Sequence, residues 1–236
     1  MAKVHPGRVW RISPSDLFLY ACCRRCFWLK VVRRLGRPRS AFPRVFGVLD
    51  RCTKDHLCSR PSQEIAPGIR PGHVLCRDRG VRSAPLAVTG HASRVRLVGR
   101  LDTALAFDDG TFGVIDFKTT MPNGSTSWTY SDQLQAYALA LENPDASALG
   151  IGPVTDLGLV CVEPLEMVGE GEDVAYRCVP TWIEIERDDE RFRDLLAQVL
   201  LVLELEEPPE AAPGCPYCEY VLQAALVVLE QLQHED

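Results

Sequence analysis

Two neighbouring apolar segments with a short acidic turn between them constrain the fold of this 236-residue chain most strongly. Residues 95–107 and 112–120 are rich in the β-branched, aliphatic and aromatic side chains that favour strands. The sequence Asp108-Asp109-Gly110 lies between them, and a glycine at such a place supports a tight reversal of the chain. The pattern therefore predicts a β-hairpin.

Three of the ionisable side chains on this hairpin are candidates for a metal site. Because side chains alternate between the two faces of a strand, Asp116 and Lys118 point to the same face, and the hairpin brings Asp102 of the first strand close to Asp116. Mg²⁺ favours oxygen ligands, so two carboxylates and a substrate phosphate make a natural site, and a nearby lysine can orient a water molecule or offset developing charge. A surface Asp-x-Lys pair without a chemical role is the alternative interpretation.

Short motifs extend this pattern along the chain. In order, they are Gly99-Arg100-Leu101-Asp102, Gly113-Val114-Ile115-Asp116-Phe117-Lys118 and Gln133-Leu134-Gln135-Ala136-Tyr137. In their order and spacing, and in the cysteine-containing segment from Ser13 to Trp28, they resemble the PD-(D/E)XK nuclease superfamily, in its RecB-like branch. The resemblance implies an α/β fold in which helices flank a restriction-endonuclease-like mixed central sheet, as a single domain over residues 1–236.

The resemblance also implies roles for individual residues. Asp102 and Asp116 would bind Mg²⁺ or Mn²⁺, and the backbone carbonyl of Phe117 would add a further ligand. Lys118 would assist the attacking water. The expected reaction is the hydrolysis of a phosphodiester bond in DNA.

Three more side chains are candidates for this site. The resemblance implies that Gln133 and Tyr137 approach the metal or the DNA from a following helix, and their i, i+4 spacing does place them on one helical face. Taken singly, a solvated glutamine and a half-buried tyrosine are ordinary helix residues. Asp50 follows Gly47 where many relatives carry a histidine or an acid near the metal, so we expect it as an additional ligand.

The chain divides by composition into a basic helical part over residues 1–60, a sheet core with the metal site over 74–187 and C-terminal helices with a cysteine pair over 188–236. Further elements predicted from periodicity and capping are a helix from Pro14 capped by Ser13, a loop over 59–73, strands over 156–162 and 181–185, a helix over 189–206 and a final helix over 221–232 that packs on the domain.

Charge is distributed very unevenly along the chain. Residues 1–100 contain 21 Lys and Arg against 5 Asp and Glu, whereas residues 101–236 contain 5 against 27. A basic half is the electrostatic footprint of a protein that binds nucleic-acid phosphates, although part of this charge can pair with the acidic half. The predicted DNA contacts in the densest basic stretch are Arg24, Arg25, Arg33, Arg34, Arg37 and Arg39.

Ten cysteines form the third signal. Cys23-x-x-Cys26 near the start and Cys215-x-x-Cys218 near the end have the spacing of metal ligands and predict one four-cysteine site. By ligand count the site fits Zn²⁺ or a [4Fe–4S] cluster equally well. Some members of the RecB-like branch hold such a cluster with one early and three late cysteines, a pattern from which this two-plus-two set departs. Four ordinary thiols remain the alternative.

The sequence thus predicts a metal-dependent DNA nuclease of repair, recombination or defence. The alternative is a non-catalytic nucleic-acid-binding protein with a four-cysteine metal staple. The first residues are charged rather than apolar, and no segment is long and apolar enough to span a bilayer, so we expect a cytoplasmic protein with no membrane association. A helicase, where one takes part, would be a separate chain.

Overall fold

A computed structural model describes residues 7–38, 41, 43–120, 124–169, 171 and 174–233. The strands are β1 (Val9–Ile12), β2 (Gly72–Arg82), β3 (Leu86–Ala87), β4 (Arg94–Phe107), β5 (Phe112–Lys118), β6 (Val154–Val168) and β7 (Ala175–Ile185). The α-helices are α1 (Pro14–Cys22), α2 (Arg24–Val32), α3 (Arg44–Leu57), α4 (Gly124–Glu142), α5 (Asp189–Leu203) and α6 (Pro216–Gln233).

The strands form one mixed sheet in the order β1-β4-β5-β6-β7, with β2 and β3 also paired to the long strand β4. The β1–β4 and β5–β6 pairs are parallel, and the others are antiparallel. The parallel β5–β6 pair requires a crossover, which α4 supplies. This mixed sheet, flanked by helices in one domain, confirms the predicted fold class.

The β4–β5 hairpin has the predicted arrangement. Thr103 pairs with Ile115 and Leu105 pairs with Gly113. The turn is closed by a hydrogen bond of 3.0 Å from the Gly110 N–H to the Phe107 carbonyl, and Gly110 has a φ of +83°, which a residue with a side chain adopts at a cost. The turn residues therefore fix the register that places Asp102 near the end of β5.

Two apolar cores lie on either side of the sheet. The larger one joins strand residues to α1, α2, α4 and α5, and α4 contributes Leu134, Ala138 and Leu141, each with 0% exposure. The smaller one lies under α3 and the following segment and includes Leu57, Ile65 and the strand residue Leu105. The buried residues of α4 recur at helical spacing and so lie on one face of the helix. The side chains on its remaining face are therefore presented to the carboxyl end of β5.

Helix capping follows the sequence. Ser13 caps α1, with Pro14 in its first turn, and the Asp16 side chain accepts from the Ser13 backbone N–H at 2.8 Å. Asp188 caps α5 by accepting from the Arg191 N–H at 2.9 Å. These start signals were read correctly because they are local.

Several expectations need correction. The helix predicted over 189–206 ends at Leu203, and residues 59–73 contain a short 3₁₀ turn (Ser62–Glu64) and the start of β2. The final helix begins earlier than expected, and most of its apolar side chains are exposed rather than packed, with Leu222 at 63%. Its leucines recur at helical spacing, which predicted that the helix packs on the domain. The side chains that attach the helix to the domain lie instead in its first turn.

No helix in the described part of the chain is both long and apolar enough to cross a lipid bilayer.

Candidate active site and cysteine cluster

Asp102 and Asp116 lie side by side where β4 and β5 separate. The ladder between the two strands is regular up to the Thr103–Ile115 pair. One residue further, Asp102 Oδ2 accepts a hydrogen bond of 3.0 Å from the backbone N–H of Phe117. Because the N–H and C=O of a strand residue point to the same side of the strand, the Phe117 carbonyl also points toward the Asp102 side. The structure thus brings the backbone of Phe117 to the Asp102 carboxylate, and the Phe117 carbonyl as a metal ligand stays a prediction.

The Asp116 carboxyl is buried, with the residue 3% exposed, and is held from two directions. Gln133 Nε2 donates to its Oδ1 at 2.6 Å, and the Lys118 ammonium contacts its Oδ2. Burial raises the pKa of Asp116 to about 6; the Lys118 ammonium opposes this rise and the nearby Asp102 carboxylate adds to it. A nearby cation would strongly stabilise the charge of a buried carboxyl that lies beside a second carboxylate.

Lys54 of α3 is a member of this site that sequence reasoning missed. It is 5% exposed, and its Nζ lies 2.9 Å from Asp102 Oδ1 and 3.0 Å from Asp50 Oδ2. Burial alone would lower the pKa of Lys54, but Asp102 and Asp50 outweigh it and the pKa lies above its ordinary value. The Asp50-to-Lys54 spacing of one helical turn was the available signal.

Asp50 reaches the site through this lysine. Its side chain is 42% exposed, and its described ion pair is the one with Lys54. Asp50 lies on the face of α3 that Lys54 shares and is turned toward Asp102. Its role as a metal ligand stays a prediction.

The donor set fits a hard divalent cation. Two carboxylates and one backbone carbonyl are the ligands that Mg²⁺ and Mn²⁺ prefer, with water and phosphate completing the coordination. Burial raises the pKa of Asp116 even beside the Lys118 ammonium, so a bound divalent cation would further stabilise its ionised form, and Lys54 and Lys118 are the cations that contact the two carboxylates in this structure. Lysine is a flexible point charge and can withdraw when a cation binds.

Tyr137 contacts the backbone of β4 next to the site. Its hydroxyl donates to the Arg100 carbonyl at 2.7 Å rather than to Asp116. Its ring lies against Gly99, where an added Cβ would be 2.9 Å from Tyr137 Cε1. Burial raises the pKa of Tyr137, so its hydroxyl remains a proton donor in this bond. Tyr137 therefore positions the β4 segment that carries Asp102.

A groove of about 680 Å³ opens beside Gln133 and Tyr137. Its walls include Phe18 of α1, Tyr130 of α4 and the cation Arg100. Phe18 is 52% exposed, and Tyr130 lies under the Lys118 ammonium at 4.1 Å from the ring centre. The groove combines positive charge with aromatic surface at the edge of the carboxylate site.

The basic residues predicted to contact DNA differ in their surroundings. Arg24 lies over the Tyr20 ring at 5.2 Å and Arg33 over the Trp28 ring at 5.5 Å. Arg25 and Arg34 are exposed. Arg37 donates to the Sγ atom of Cys215, and Arg39 lies outside the described residues.

The four predicted cysteines form one cluster. The Cys23 and Cys218 Sγ atoms are 3.8 Å apart, Cys26 and Cys215 are 3.7 Å apart, and Cys26 and Cys218 are 3.5 Å apart. All four Sγ atoms lie within 4.8 Å of one another. Hydrogen bonds from neighbouring groups outweigh burial and lower the pKa of Cys23 to about 6. The fold thus joins the α1–α2 junction to the start of α6.

Residues 57–221 match the PD-(D/E)XK nuclease superfamily. The chain belongs to this superfamily. The matched segment contains Asp102, Asp116, Lys118, Gln133 and Tyr137, whereas Cys23, Cys26, Asp50 and Lys54 precede it. The nucleases of this superfamily generally use divalent metals.

Two solved structures show distant likeness. The crystal structure of SSO0001 is 15% identical over 84% of this chain and 78% of that one, with a TM-score of 0.47. The crystal structure of an alkaline exonuclease (LHK-Exo) from Laribacter hongkongensis is 14% identical over 95% of this chain and 94% of that one, with a TM-score of 0.39. No curated protein matches the sequence significantly.

Proposed function

We propose that this protein is a divalent-metal-dependent DNA nuclease that hydrolyses phosphodiester bonds at the Asp102, Asp116 and Lys118 site. The observation that carries the proposal is the buried Asp116 carboxyl, held by Gln133 and Lys118 next to a second carboxylate. A purely structural carboxyl would not be expected to be kept in an environment that disfavours its charge. Membership of a nuclease superfamily supports the same chemistry.

Each side chain has a distinct task in the proposed reaction. A divalent cation held by Asp102, Asp116 and the Phe117 carbonyl would polarise the phosphate and lower the pKa of a bound water. Gln133 fixes the Asp116 carboxylate in one orientation, since its amide donates to Oδ1. Lys118, with its ammonium at Oδ2, is placed to orient the attacking water and to offset charge that develops on the phosphate.

The groove beside Gln133 provides the approach for the substrate. Arg100 can contact phosphate, and the exposed ring of Phe18 can stack on a base. Arg24 and Arg25 lie in the first turn of α2, which follows the helix that carries Phe18, and Arg33 and Arg34 come directly after α2. We propose DNA as the substrate and these arginines as contacts that position it without reading its sequence.

The order of the motifs, with the Gln133 helix after the Asp-x-Lys strand, supports a place in the RecB-like branch. On that basis we propose a cytoplasmic nuclease of DNA repair, recombination or defence. Any helicase that acts with it would be a separate chain.

One observation favours a second function. The carboxylates Asp102 and Asp116 each have an ammonium partner already, Lys54 and Lys118 respectively. A fully paired cluster is also what a non-catalytic member of the fold would contain. In that case the protein would bind nucleic acid without cutting it, with the cysteine cluster as its staple.

A cleavage assay separates the two functions. Purified protein is incubated with single-stranded DNA, duplex DNA and RNA in Mg²⁺, in Mn²⁺ and in EDTA. The nuclease proposal predicts cleavage of DNA in either metal, none in EDTA, and a loss of at least about 100-fold for Lys118→Ala. Arg177→Ala, at an exposed ion pair on β7, serves as the control that keeps activity. Binding without cleavage in every metal would establish the second function instead.

A further inference from the structure

The cysteine cluster lies apart from the nuclease chemistry, and we propose that it holds a single tetrahedral Zn²⁺ ion rather than an iron–sulfur cluster. Its ligands are Cys23, Cys26, Cys215 and Cys218. The residue count alone leaves both possibilities open. The spacing of the sulfur atoms distinguishes between them.

A single zinc ion requires closely spaced thiolates. With Zn–S bonds of about 2.3 Å, the edge of a regular ZnS₄ tetrahedron is about 3.8 Å. The measured Sγ–Sγ distances of 3.5, 3.7 and 3.8 Å match this edge. In a [4Fe–4S] cluster each cysteine binds a different iron, so its four sulfur atoms lie further apart than around one ion. The present separations, all within 4.8 Å, leave room for one ion at the centre.

The surroundings of the sulfur atoms fit a charged metal centre. Zn²⁺ with four thiolates carries two net negative charges, which need donors and cations nearby. Arg37 Nη2 donates to Cys215 Sγ at 3.5 Å, and the backbone N–H of Ala212 donates to Cys23 Sγ at 3.5 Å. The Arg37 guanidinium is itself held over the Tyr217 ring at 4.4 Å. Arg37 thereby acts as the counter-cation of the site.

The ion would have a structural task. Cys23 and Cys26 flank the start of α2, whereas Cys215 and Cys218 flank the start of α6. Since much of the apolar surface of α6 is exposed, with Leu226 at 52%, packing contributes little to its attachment. The metal fixes the first turn of α6 to the α1–α2 junction, and Arg37 couples the basic segment after α2 to the same point.

Metal analysis of the purified protein is the first test. We expect about one zinc per chain with no acid-labile sulfide, and after exchange with Co²⁺ the visible absorption of tetrahedral cobalt thiolate. Cys218→Ser should lose most of the zinc and unfold at a lower temperature. Cys22→Ser is the matched control, because Cys22 is exposed and lies outside the cluster. About four irons with acid-labile sulfide would overturn the proposal.

A second variant keeps the proposal testable if Cys218→Ser fails to fold. Arg37→Gln retains all four ligands but removes the counter-cation, so zinc should transfer to a chelator about 10- to 100-fold more readily. Arg37→Lys should recover part of this loss because it keeps the charge. A metal-free parent protein would show that the four residues are not the site described, and equal zinc retention by Arg37→Gln and the parent would overturn the counter-cation role of Arg37. These readouts do not depend on nuclease activity.

Discussion

Two clusters of ionic side chains, one around the buried Asp116 and one around the half-buried Glu142, behave in opposite ways in this protein. At the candidate active site, the pKa of Asp116 is raised to about 6. At the junction of α4, β6 and α5, the pKa of Glu142 is lowered, because hydrogen bonds and charge from Arg187 outweigh its burial. The ionised form is disfavoured in the first cluster and favoured in the second. This is the contrast that we expect between the proposed metal site and an ion pair that stabilises the fold.

The partners explain this contrast. Arg187 donates to Glu142 Oε1 at 2.7 Å and to both oxygens of Asp189 at 2.9 and 3.0 Å. Glu142 Oε1 also accepts from the Val154 N–H at 2.8 Å. The planar guanidinium saturates these oxygens in a fixed geometry. Asp116 and Asp102 each have a lysine ammonium at one oxygen instead, and their other oxygens accept from the Gln133 amide and the Phe117 N–H.

The largest effect should come from Asp116→Asn. Loss of a carboxylate ligand should reduce DNA cleavage by more than about 100-fold, since removing even an outer partner of a metal ligand costs 10- to 100-fold. The folded protein should be as stable as wild type, or more stable by up to about 2 kcal/mol, because the neutral amide relieves a buried charge. Cleavage in excess Mg²⁺ and thermal unfolding in EDTA measure the two effects.

Asp55→Asn is the control for this variant, because Asp55 is an exposed acid paired with Arg77 on the surface. Its cleavage and stability should match wild type. Wild-type cleavage by Asp116→Asn would remove the proposed site, and a large loss of stability would place Asp116 with Glu142 as a residue of the fold.

Lys54→Met tests whether the ammonium stands in for a metal. In EDTA, the variant leaves Asp102 and Asp50 without their cation and should lose about 3 kcal/mol of unfolding free energy. Millimolar Mg²⁺ should restore much of this loss, since it supplies the missing charge. Denaturant unfolding with and without Mg²⁺ is the measurement. Lys30→Met, at a more exposed pair with Asp16, should cost no more than about 1 kcal/mol and show no response to Mg²⁺.

A Lys54→Met protein that stays equally unstable in EDTA and in Mg²⁺ would argue that Lys54, like Arg187, belongs to the fold alone.

Glu142→Gln should give a smaller effect, a loss of about 2 kcal/mol near neutral pH, because Arg187 keeps Asp189 but loses its second carboxylate. The pKa of Glu142 is lowered in the folded state, so its contribution is present above its ordinary value of about 4.3 and disappears as the pH falls through the lowered value. The stability curves of variant and wild type should therefore converge in acid.

Glu166→Gln removes an exposed partner of Arg177 and provides the comparison for this experiment. It should change stability by less than about 1 kcal/mol at any pH. The stability curves of Glu142→Gln and wild type could instead run parallel down to strongly acidic pH. That result would show that packing at the junction, and not the charge of Glu142, contributes the stability.

The sequence was most informative where the controlling interactions are local. Strand alternation correctly placed Asp116 and Lys118 on one face, the Asp108-Asp109-Gly110 turn fixed the hairpin, and Ser13 marked the start of α1. The i, i+4 spacing put Gln133 and Tyr137 on one side of α4, although only Gln133 contacts Asp116. The convergence of the two cysteine pairs was predicted from their ligand spacing.

The rest depends on contacts between distant segments, which no local pattern records. Lys54 reaches Asp102 across 48 positions of the chain, and only the packing of α3 on the sheet brings the two together. Arg187 meets Glu142 in the same manner. The exposure of α6 was also missed, because a helical stripe of leucines does not reveal which surface, if any, lies opposite it.

The span between the two cysteine pairs has a consequence for biosynthesis. Cys26 and Cys215 are 189 positions apart, so the ribosome makes strands β2 to β7 between the first pair and the second. A domain made from its amino end can fold its sheet before this closure forms. The cysteine cluster therefore closes one of the longest loops in the described part of the chain, and it can do so only after the hairpin that carries Asp102 and Asp116 has been synthesised.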